Sequence, residues 1–253
     1  GTLIGQIPQV PHTYQYFHSR YSFMNEKGVA VSESTFGIDT STDYGKEVRK
    51  VLWTDSKGII DCWTAQDIAL ERAATAREAV RIMGDLVEQY GWSTVGGGGE
   101  TMTVADGEET WIVEFYGRDI WAGVRIPSDH FTVAANRARI MEVDLEDTEN
   151  VMASPNIVSF AVEQGWYDPS SGKPFNIAEI YAPNDSLYAT RREWRAFDLV
   201  APSLGLSPHD LRFPLSVKPD RLLTVHDIFA IKGDYYQGTD YDLTVGLAAG
   251  PWG

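Results

Sequence analysis

Apolar residues along this chain recur with two periods, one typical of helices and one typical of strands. The strongest helical pattern covers residues 64–90, where apolar positions recur at alternating spacings of four and three and charged residues occupy the opposite face. Thr64 stands where a helix N-cap is expected, and Gly91 stands where the helix end needs a left-handed residue. We therefore predict one long amphipathic helix whose apolar face packs on a sheet.

Strand patterns follow this helix. The four glycines at residues 96–99 are interpreted as a flexible connector, because they lack the lysine and the spacing of a phosphate-binding loop. Beyond them, residues 101–105 and 110–116 flank Asp106-Gly107, a dipeptide typical of hairpin turns. We predict an antiparallel meander that starts here and continues to residues 140–143.

The middle of this meander consists of two apolar runs, residues 120–126 and 131–135, separated by turn residues. Neither run alternates apolar with polar residues, so both strands are expected to be covered on both faces. The second run ends at a polar group, Asn136, Arg137 and Arg139. Polar side chains at the rim of a buried sheet are where a binding or catalytic site is usually built.

Further elements are predicted nearer the ends of the chain. Residues 13–17 and 29–35 have strand patterns and are expected to pair antiparallel. Helical patterns occupy residues 155–164, 185–200 and 225–231. Strands followed by helices, rather than alternating with them, indicate an α+β protein. Since no linker divides the pattern, we predict a single domain over residues 1–253.

Composition narrows the function classes. With 43% hydrophobic residues the chain can bury a large core, and its net charge of −15 excludes a nucleic acid partner. No apolar run has the length of a membrane-spanning helix, so no membrane partner is expected. Cys62 is the one cysteine, so no intrachain disulfide forms, and the compartment, cytoplasmic or exported from a bacterium, stays open.

Four segments, in this order along the chain, carry a family likeness. They are residues 69–79 (ALERAATAREA), residues 125–130 (RIPSDH) running into Ala135-Asn136, residues 213–220 (FPLSVKPD) and residues 246–252 (GLAAGPW). With these segments the chain resembles the C69 dipeptidases, including the secernin-like proteins, within the N-terminal-nucleophile (Ntn) hydrolases. The likeness spans most of the chain.

The resemblance implies both a fold and an activity. The implied fold is a four-layer αββα sandwich, in which two antiparallel sheets pack face to face with helices outside; strands that are apolar on both faces suit it. The implied activity is hydrolysis of dipeptides by an N-terminal cysteine, whose thiol attacks the carbonyl while its own α-amine acts as the base. This chemistry needs no metal and no organic cofactor.

This sequence departs from the family pattern at its first residue. Residue 1 is Gly, and no cysteine precedes Cys62. The expectation is that the strand with the nucleophile, and a C-terminal part, lie outside residues 1–253, so that these residues alone are catalytically incomplete. A sheet edge left unpaired would favour a homo-oligomer. Two alternatives stay open: a non-catalytic binding or scaffold protein on the same fold, and an amidase of the bile-salt or penicillin type.

Asn136 is the leading candidate site residue. By its place in the resemblance it faces the nucleophile and helps to hold the substrate amine or the oxyanion, for which its amide is a suitable donor. The alternative is an Asn that caps its own turn. Glu33 and Ser34 end the strand in which related amidases carry an Asn as a second oxyanion donor. No Asn occurs there, and a carboxylate can instead bind the free amine of a substrate.

Three other features have both a functional and a structural interpretation. Arg195 corresponds to an arginine near the nucleophile of related amidases, or else pairs on its helix with Glu193 or Asp198. Residues 128–130 (SDH) have the composition of a catalytic triad, but neighbours on an extended chain point apart, so we interpret them as a turn. Cys62 is interpreted as a small buried residue, because no basic neighbour lowers its pKa.

Overall fold

The computed structural model describes residues 3–94 and 98–252. Their contacts divide into two compact units. The first unit comprises Gly1–Ser128 and Ala134–Asp185, and the second comprises Asp129–Val133 and Ser186–Gly253. The single domain predicted over residues 1–253 stays a prediction. Residues 96 and 97 of the connector predicted at residues 96–99 lie outside the described part of the chain, and Gly99 is not part of a connector but begins a strand.

Strands and helices both occur in the described residues, as expected for an α+β protein. The strands are β1 (Ala30–Phe36), β2 (Gly99–Ala105), β3 (Thr110–Gly117), β4 (Ile120–Ile126), β5 (Phe131–Thr132), β6 (Val151–Ala153) and β7 (Ser216–Val217). The helices are α1 (Asp43–Arg49), α2 (Cys62–Arg72), α3 (Ala76–Tyr90), α4 (Ile157–Glu163), α5 (Ile177–Tyr181), α6 (Leu187–Val200) and α7 (Val225–Gly233). A π-helical turn covers Lys50–Thr54, and 3₁₀ turns cover Pro169–Ser171, Pro202–Leu204 and Gly246–Trp252.

The first unit contains a five-stranded antiparallel sheet in the order β1-β2-β3-β4-β6. The hairpin predicted around Asp106-Gly107 is confirmed between β2 and β3, and β4 has the predicted bounds. The α+β class and the antiparallel sheet are thus confirmed. The four-layer sandwich stays a prediction.

The long helix predicted over residues 64–90 is wrong in one respect, because it is two helices. Asp61 caps α2 by accepting a hydrogen bond from the Thr64 backbone, so Thr64 is not the N-cap. Thr75 caps α3 through the backbone N–H of Glu78, and the Glu78 carboxylate accepts from the Ala74 N–H. This reciprocal capping satisfies backbone groups that a continuous helix would use, so it favours a break.

The helices α2 and α3 pack on one face of the sheet. Trp111, Val113 and Phe115, alternate residues of β3, lie in the same core cluster as the apolar stripe of both helices. Small helical residues permit the close approach: a Cβ on Gly84 would lie 2.1 Å from Cζ2 of Trp121 on β4. The periodicity therefore predicted the correct buried face, although the helix is broken.

The opposite face of the sheet is covered as well. Glu114 and Tyr116, the intervening residues of β3, are both 0% exposed. The Tyr116 ring lies 5.6 Å from the ring of Tyr181 in α5. Burial on both faces was predicted for the neighbouring strand, residues 120–126, because it lacks alternation. The strand β3 is buried on both faces as well.

Three predicted strands are not formed as expected. Residues 140–143 lie outside any strand, and β6 instead forms the fifth strand. Of residues 131–135 only β5 is a strand; it belongs to the second unit and pairs with β7, and the Thr132 hydroxyl donates to the Leu215 carbonyl. Residues 13–17 form a single bridge, Tyr16 to Asn25. Apolar runs specify burial, but strand partners depend on contacts that are distant in sequence.

The second unit has its own small core. Trp194, Phe197 and Val200 of α6 pack with Phe213 and Val217. The predicted start of the last helix is confirmed, since the Thr224 side chain caps α7 in a capping box with Asp227. None of the helices in the described part of the chain combines the length and apolar content that a bilayer crossing requires.

Candidate active site

Asn136 is held against the end of β1. Its backbone N–H donates to Oγ of Ser34 at 2.9 Å, and its side-chain Nδ2 donates to the carbonyl of Thr35 at 2.6 Å. Asn136 has a backbone φ of 60°, in the left-handed region that few residues other than Gly adopt, although Asn tolerates it better than most. The structure thus brings together two predicted site residues, Asn136 and Ser34, in a conformation that both hydrogen bonds maintain.

A row of polar residues runs across three strands beneath this segment. Ser34 pairs with Thr101, and Thr101 pairs with Glu114. The Thr101 hydroxyl donates to Glu114 Oε1 at 3.2 Å. Thr101 and Glu114 are buried. We call these three residues, Ser34, Thr101 and Glu114, the polar row.

Glu114 receives further hydrogen bonds from the chain just beyond Asn136. The backbone N–H of Arg139 donates to Oε1 at 2.5 Å and that of Ile140 to Oε2 at 3.1 Å, while the Tyr116 hydroxyl donates to Oε2 at 2.7 Å. Burial raises the pKa of Glu114, and these hydrogen bonds together with the Arg139 charge counteract the rise. The buried carboxyl is therefore surrounded by donors.

Glu33 lies on the other face of β1, because neighbouring residues of a strand point to opposite sides. There it interacts with Glu100 of β2, which is 2% exposed. The Thr35 hydroxyl donates to Glu100 at 2.7 Å and to Glu33 at 3.4 Å. Burial raises the pKa of Glu100 to about 8; the Thr35 hydrogen bond opposes this rise, and Glu33 adds to it. The two carboxyl groups therefore lie around the same Thr35 hydroxyl, and the raised pKa keeps Glu100 protonated below a pH of about 8.

Thr35 connects Asn136 with the two carboxyl groups of Glu33 and Glu100. Its carbonyl accepts a hydrogen bond from Asn136, and its hydroxyl donates to Glu100 and Glu33. The sequence interpretation missed Thr35, Glu100 and Glu114. A signal for the two carboxylates existed: each is a charged residue in or beside an otherwise apolar strand, and such residues are rarely buried without a partner.

Cys62 is unsuited to nucleophilic attack. Its side chain is 2% exposed, in agreement with the predicted small buried residue. Burial, and next the negative charge of Glu100, raise the pKa of the thiol to about 12. A thiol with this pKa carries almost no thiolate at neutral pH.

Arg195 lies in the second unit and is engaged by carboxylates. It forms a two-point contact with Asp234, at 2.9 and 2.8 Å, and another contact with Asp198 at 3.1 Å. Burial by itself would raise the pKa of Asp234, but hydrogen bonds from Arg195 and the Tyr236 N–H outweigh it and lower that pKa. The pairing with Asp198 expected under the structural interpretation is present, and the proposed catalytic role of Arg195 stays a prediction.

The SDH segment at residues 128–130 is confirmed as a turn at residues 128 and 129. Asp129 forms an ion pair with Lys218 at 2.8 Å, and Nδ1 of His130 lies 2.9 Å from Oγ of Ser216. Both side chains thus contact residues in or next to β7. Within residues 3–94 and 98–252, no three His, Cys, Asp or Glu side chains are grouped so that they could hold a metal ion.

Comparison with known proteins identifies similar sequences. The model of peptidase family C69 matches residues 16–249. A probable dipeptidase of Salmonella dublin is 34% identical over 182 residues, which are 70% of this chain and 41% of that protein. A probable dipeptidase of Latilactobacillus sakei is 31% identical over 224 residues, 87% of this chain and 44% of that protein. Dipeptidase A of Lactobacillus helveticus is 29% identical over 171 residues, 66% of this chain and 35% of that protein. The chain therefore spans less than half the length of these relatives.

Proposed function

The chain belongs to peptidase family C69, and on that premise we propose that the protein hydrolyses the peptide bond of dipeptides. The family match over residues 16–249 is the observation that carries this proposal. It also confirms the resemblance suggested by the four sequence segments. The names of the relatives, each a dipeptidase, support the same substrate class.

Asn136 is the proposed oxyanion donor. Hydrolysis of a peptide bond passes through a tetrahedral intermediate whose oxygen carries negative charge, and a donor helps most when its orientation is set beforehand. The hydrogen bond to the Thr35 carbonyl orients the Asn136 amide, and the bond to Ser34 holds its backbone. Ser34 thereby supports the site by positioning Asn136.

Glu33 is the proposed partner of the substrate's free amine. It lies half-buried at the end of β1, and its neighbour Glu100 is neutral below a pKa of about 8. A carboxylate beside a neutral Glu100 suits a protonated amine. Recognition of that amine would restrict the enzyme to peptides with a free N-terminus.

The nucleophile proposed from the family is an N-terminal cysteine that uses its own α-amine as the base. Residues 1–253 contain one cysteine, Cys62, and its buried thiol has a pKa of about 12. We assign it no catalytic role. The Ntn-hydrolase sandwich is part of the same proposal, supported by the antiparallel sheet that is covered on both faces.

The test is an assay of the full-length protein with free dipeptides and the same dipeptides N-acetylated. A bile-salt conjugate and a penicillin serve as further substrates. We expect hydrolysis of the free dipeptides, a large loss on acetylation, and unchanged activity per folded molecule in Cys62→Ala. Turnover of the bile salt or penicillin alone would favour an amidase. No turnover of any substrate would favour a non-catalytic binding protein.

A further inference from the structure

Glu114 stands out among the buried groups that the proposed chemistry does not use. It is 0% exposed and accepts four hydrogen bonds, two of them from the backbone of Arg139 and Ile140. Such a carboxyl is costly to bury, and its donors must offset that cost. An apolar residue could fill the position without this desolvation cost, so we looked for a specific role of Glu114.

The chain from Asn136 to Ile140 runs across the sheet from one end of the polar row to the other. Neighbouring strands lie about 4.8 Å apart, so the backbones of Ser34 on β1 and Glu114 on β3 are separated by roughly 10 Å. Three to four extended residues cover about 10–14 Å. Asn136 is bound at Ser34, while Arg139 and Ile140 are bound at Glu114. The segment is thus attached at both ends across the sheet.

We propose that Glu114 is a positioning residue for Asn136: it attaches the segment at residues 139 and 140 and thereby keeps the Asn136 backbone left-handed and its amide directed at the substrate. This role rests on the proposed function of Asn136 as the oxyanion donor. Glu114 itself does not contact the reacting atoms. Its effect on catalysis passes entirely through the segment that it holds.

The test compares Glu114→Gln with a matched buried control, Asn25→Asp, in the full-length protein. Gln keeps the size of Glu but replaces one acceptor oxygen by an NH₂ group, so the two bonds that this oxygen accepts are lost. Asn25 is 4% exposed and also makes four hydrogen bonds, to the backbone of residues 27, 29, 70 and 73, none of them in the Asn136 segment. Both variants are expected to lower Tm.

The two variants are expected to differ in kinetics. Glu114→Gln should lower kcat about 10- to 100-fold with KM for a dipeptide nearly constant, as expected for an interaction made in the transition state. Asn25→Asp should leave kcat per folded molecule unchanged. Combined with Asn136→Ala, Glu114→Gln should cost no further activity, because its effect requires the Asn136 amide. Independent losses in the double variant, or wild-type kcat in folded Glu114→Gln, would overturn the proposal.

Hydrogen exchange provides a readout that does not depend on activity. In Glu114→Gln the backbone amides of residues 136–140 should exchange at least about 10-fold faster, while those of β2 and β3 stay protected. Unchanged exchange in residues 136–140 would overturn the positioning role. A wild-type protein that hydrolyses no dipeptide would instead contradict the proposed function, and the exchange result would still decide whether Glu114 holds Asn136 in place.

Discussion

At the scale of single residues, Asn136 combines a strained backbone with two fixed hydrogen bonds. A left-handed φ of 60° in a residue other than Gly costs free energy and persists only where the surroundings enforce it. The bonds to Ser34 and Thr35 are local to the proposed site. Backbone strain and a preorganised amide therefore occur at the same position.

Substitution of Asn136 separates catalysis from stability. Asn136→Ala should lower kcat by on the order of 10² to 10³ with KM little changed, and Asn136→Asp at least as much, since a carboxylate repels the developing oxyanion. Asn136→Gly is the matched control for the backbone, because Gly adopts a left-handed φ without strain. It should retain the wild-type Tm and lose activity like Asn136→Ala. Full activity in any of these variants, when folded, would remove Asn136 from the site.

A second prediction at this scale concerns how stability depends on pH through Glu100. Its pKa rises from an ordinary 4.5 to about 8 in the folded protein. Between these pH values the folded state holds a proton that the unfolded state releases, so stability falls as pH rises from about 4.5 to about 8. Glu100→Gln removes the titrating group. The decrease in the free energy of unfolding over this pH range should therefore be smaller than in the wild type by at least about 1 kcal/mol, or roughly 2–4 °C in Tm.

The control for Glu100 is Glu109→Gln. Hydrogen bonds from Arg77 lower the pKa of Glu109 below its ordinary value, so it stays ionised throughout this window in the folded protein. Thermal unfolding measured at intervals between pH 5 and 9 compares the three proteins. Equal slopes in the wild type and Glu100→Gln would contradict the raised pKa of Glu100.

At the scale of elements, the contact of α3 with the sheet depends on a residue without a side chain. Gly84 sits against Trp121, whose indole N–H also donates to Glu88 of the same helix. Helix and strand are therefore held together by a close approach and a hydrogen bond. The sequence pattern marks Gly84 only as a weak helix former, and the tertiary contact shows why a larger residue does not fit.

Replacement of Gly84 by Ala sets two effects against each other. Ala favours a helix over Gly by about 1 kcal/mol, whereas the added methyl would lie 2.1 Å from the Trp121 ring. Overpacking of a dense core costs about 1–3 kcal/mol, so we expect a net loss and a lower Tm. Gly233→Ala, at the end of α7 with no atom within 4 Å of the new Cβ, should be neutral or stabilising. A higher Tm in Gly84→Ala would contradict this expectation and show that Trp121 and the sheet move to accommodate the methyl group.

At the scale of the whole molecule, local signals predicted most elements well. The bounds of β4, the hairpin between β2 and β3, the start of α7 at Val225 and the left-handed Gly91 follow from turn, capping and propensity rules that involve a few neighbouring residues. The break between α2 and α3 was missed because the apolar stripe continues across it. Capping by Thr75 competes with periodicity, and the two signals overlap in the sequence.

Part of the candidate site was predictable as well. Asn136 and Ser34 were selected from their places in the family pattern, and the structure brings them within hydrogen-bonding distance, 102 positions apart in sequence. Glu100 and Glu114 were not selected. Their place in otherwise apolar strands was a signal, but burial of a carboxylate also depends on what covers its face of the sheet, and the sequence does not show that.

The amino-acid sequence alone determined the secondary structure class, the apolar faces and the family, because each depends on residue type at fixed spacing. Only the tertiary structure decided which strands pair, and that β5 pairs with β7 instead of β4. It also decided that one buried carboxyl of β3 accepts hydrogen bonds from the backbone beyond Asn136. The physical reason is that strand partners and buried hydrogen bonds join residues that are distant along the chain. Their free energies depend on which groups meet in space and on how completely water is excluded there.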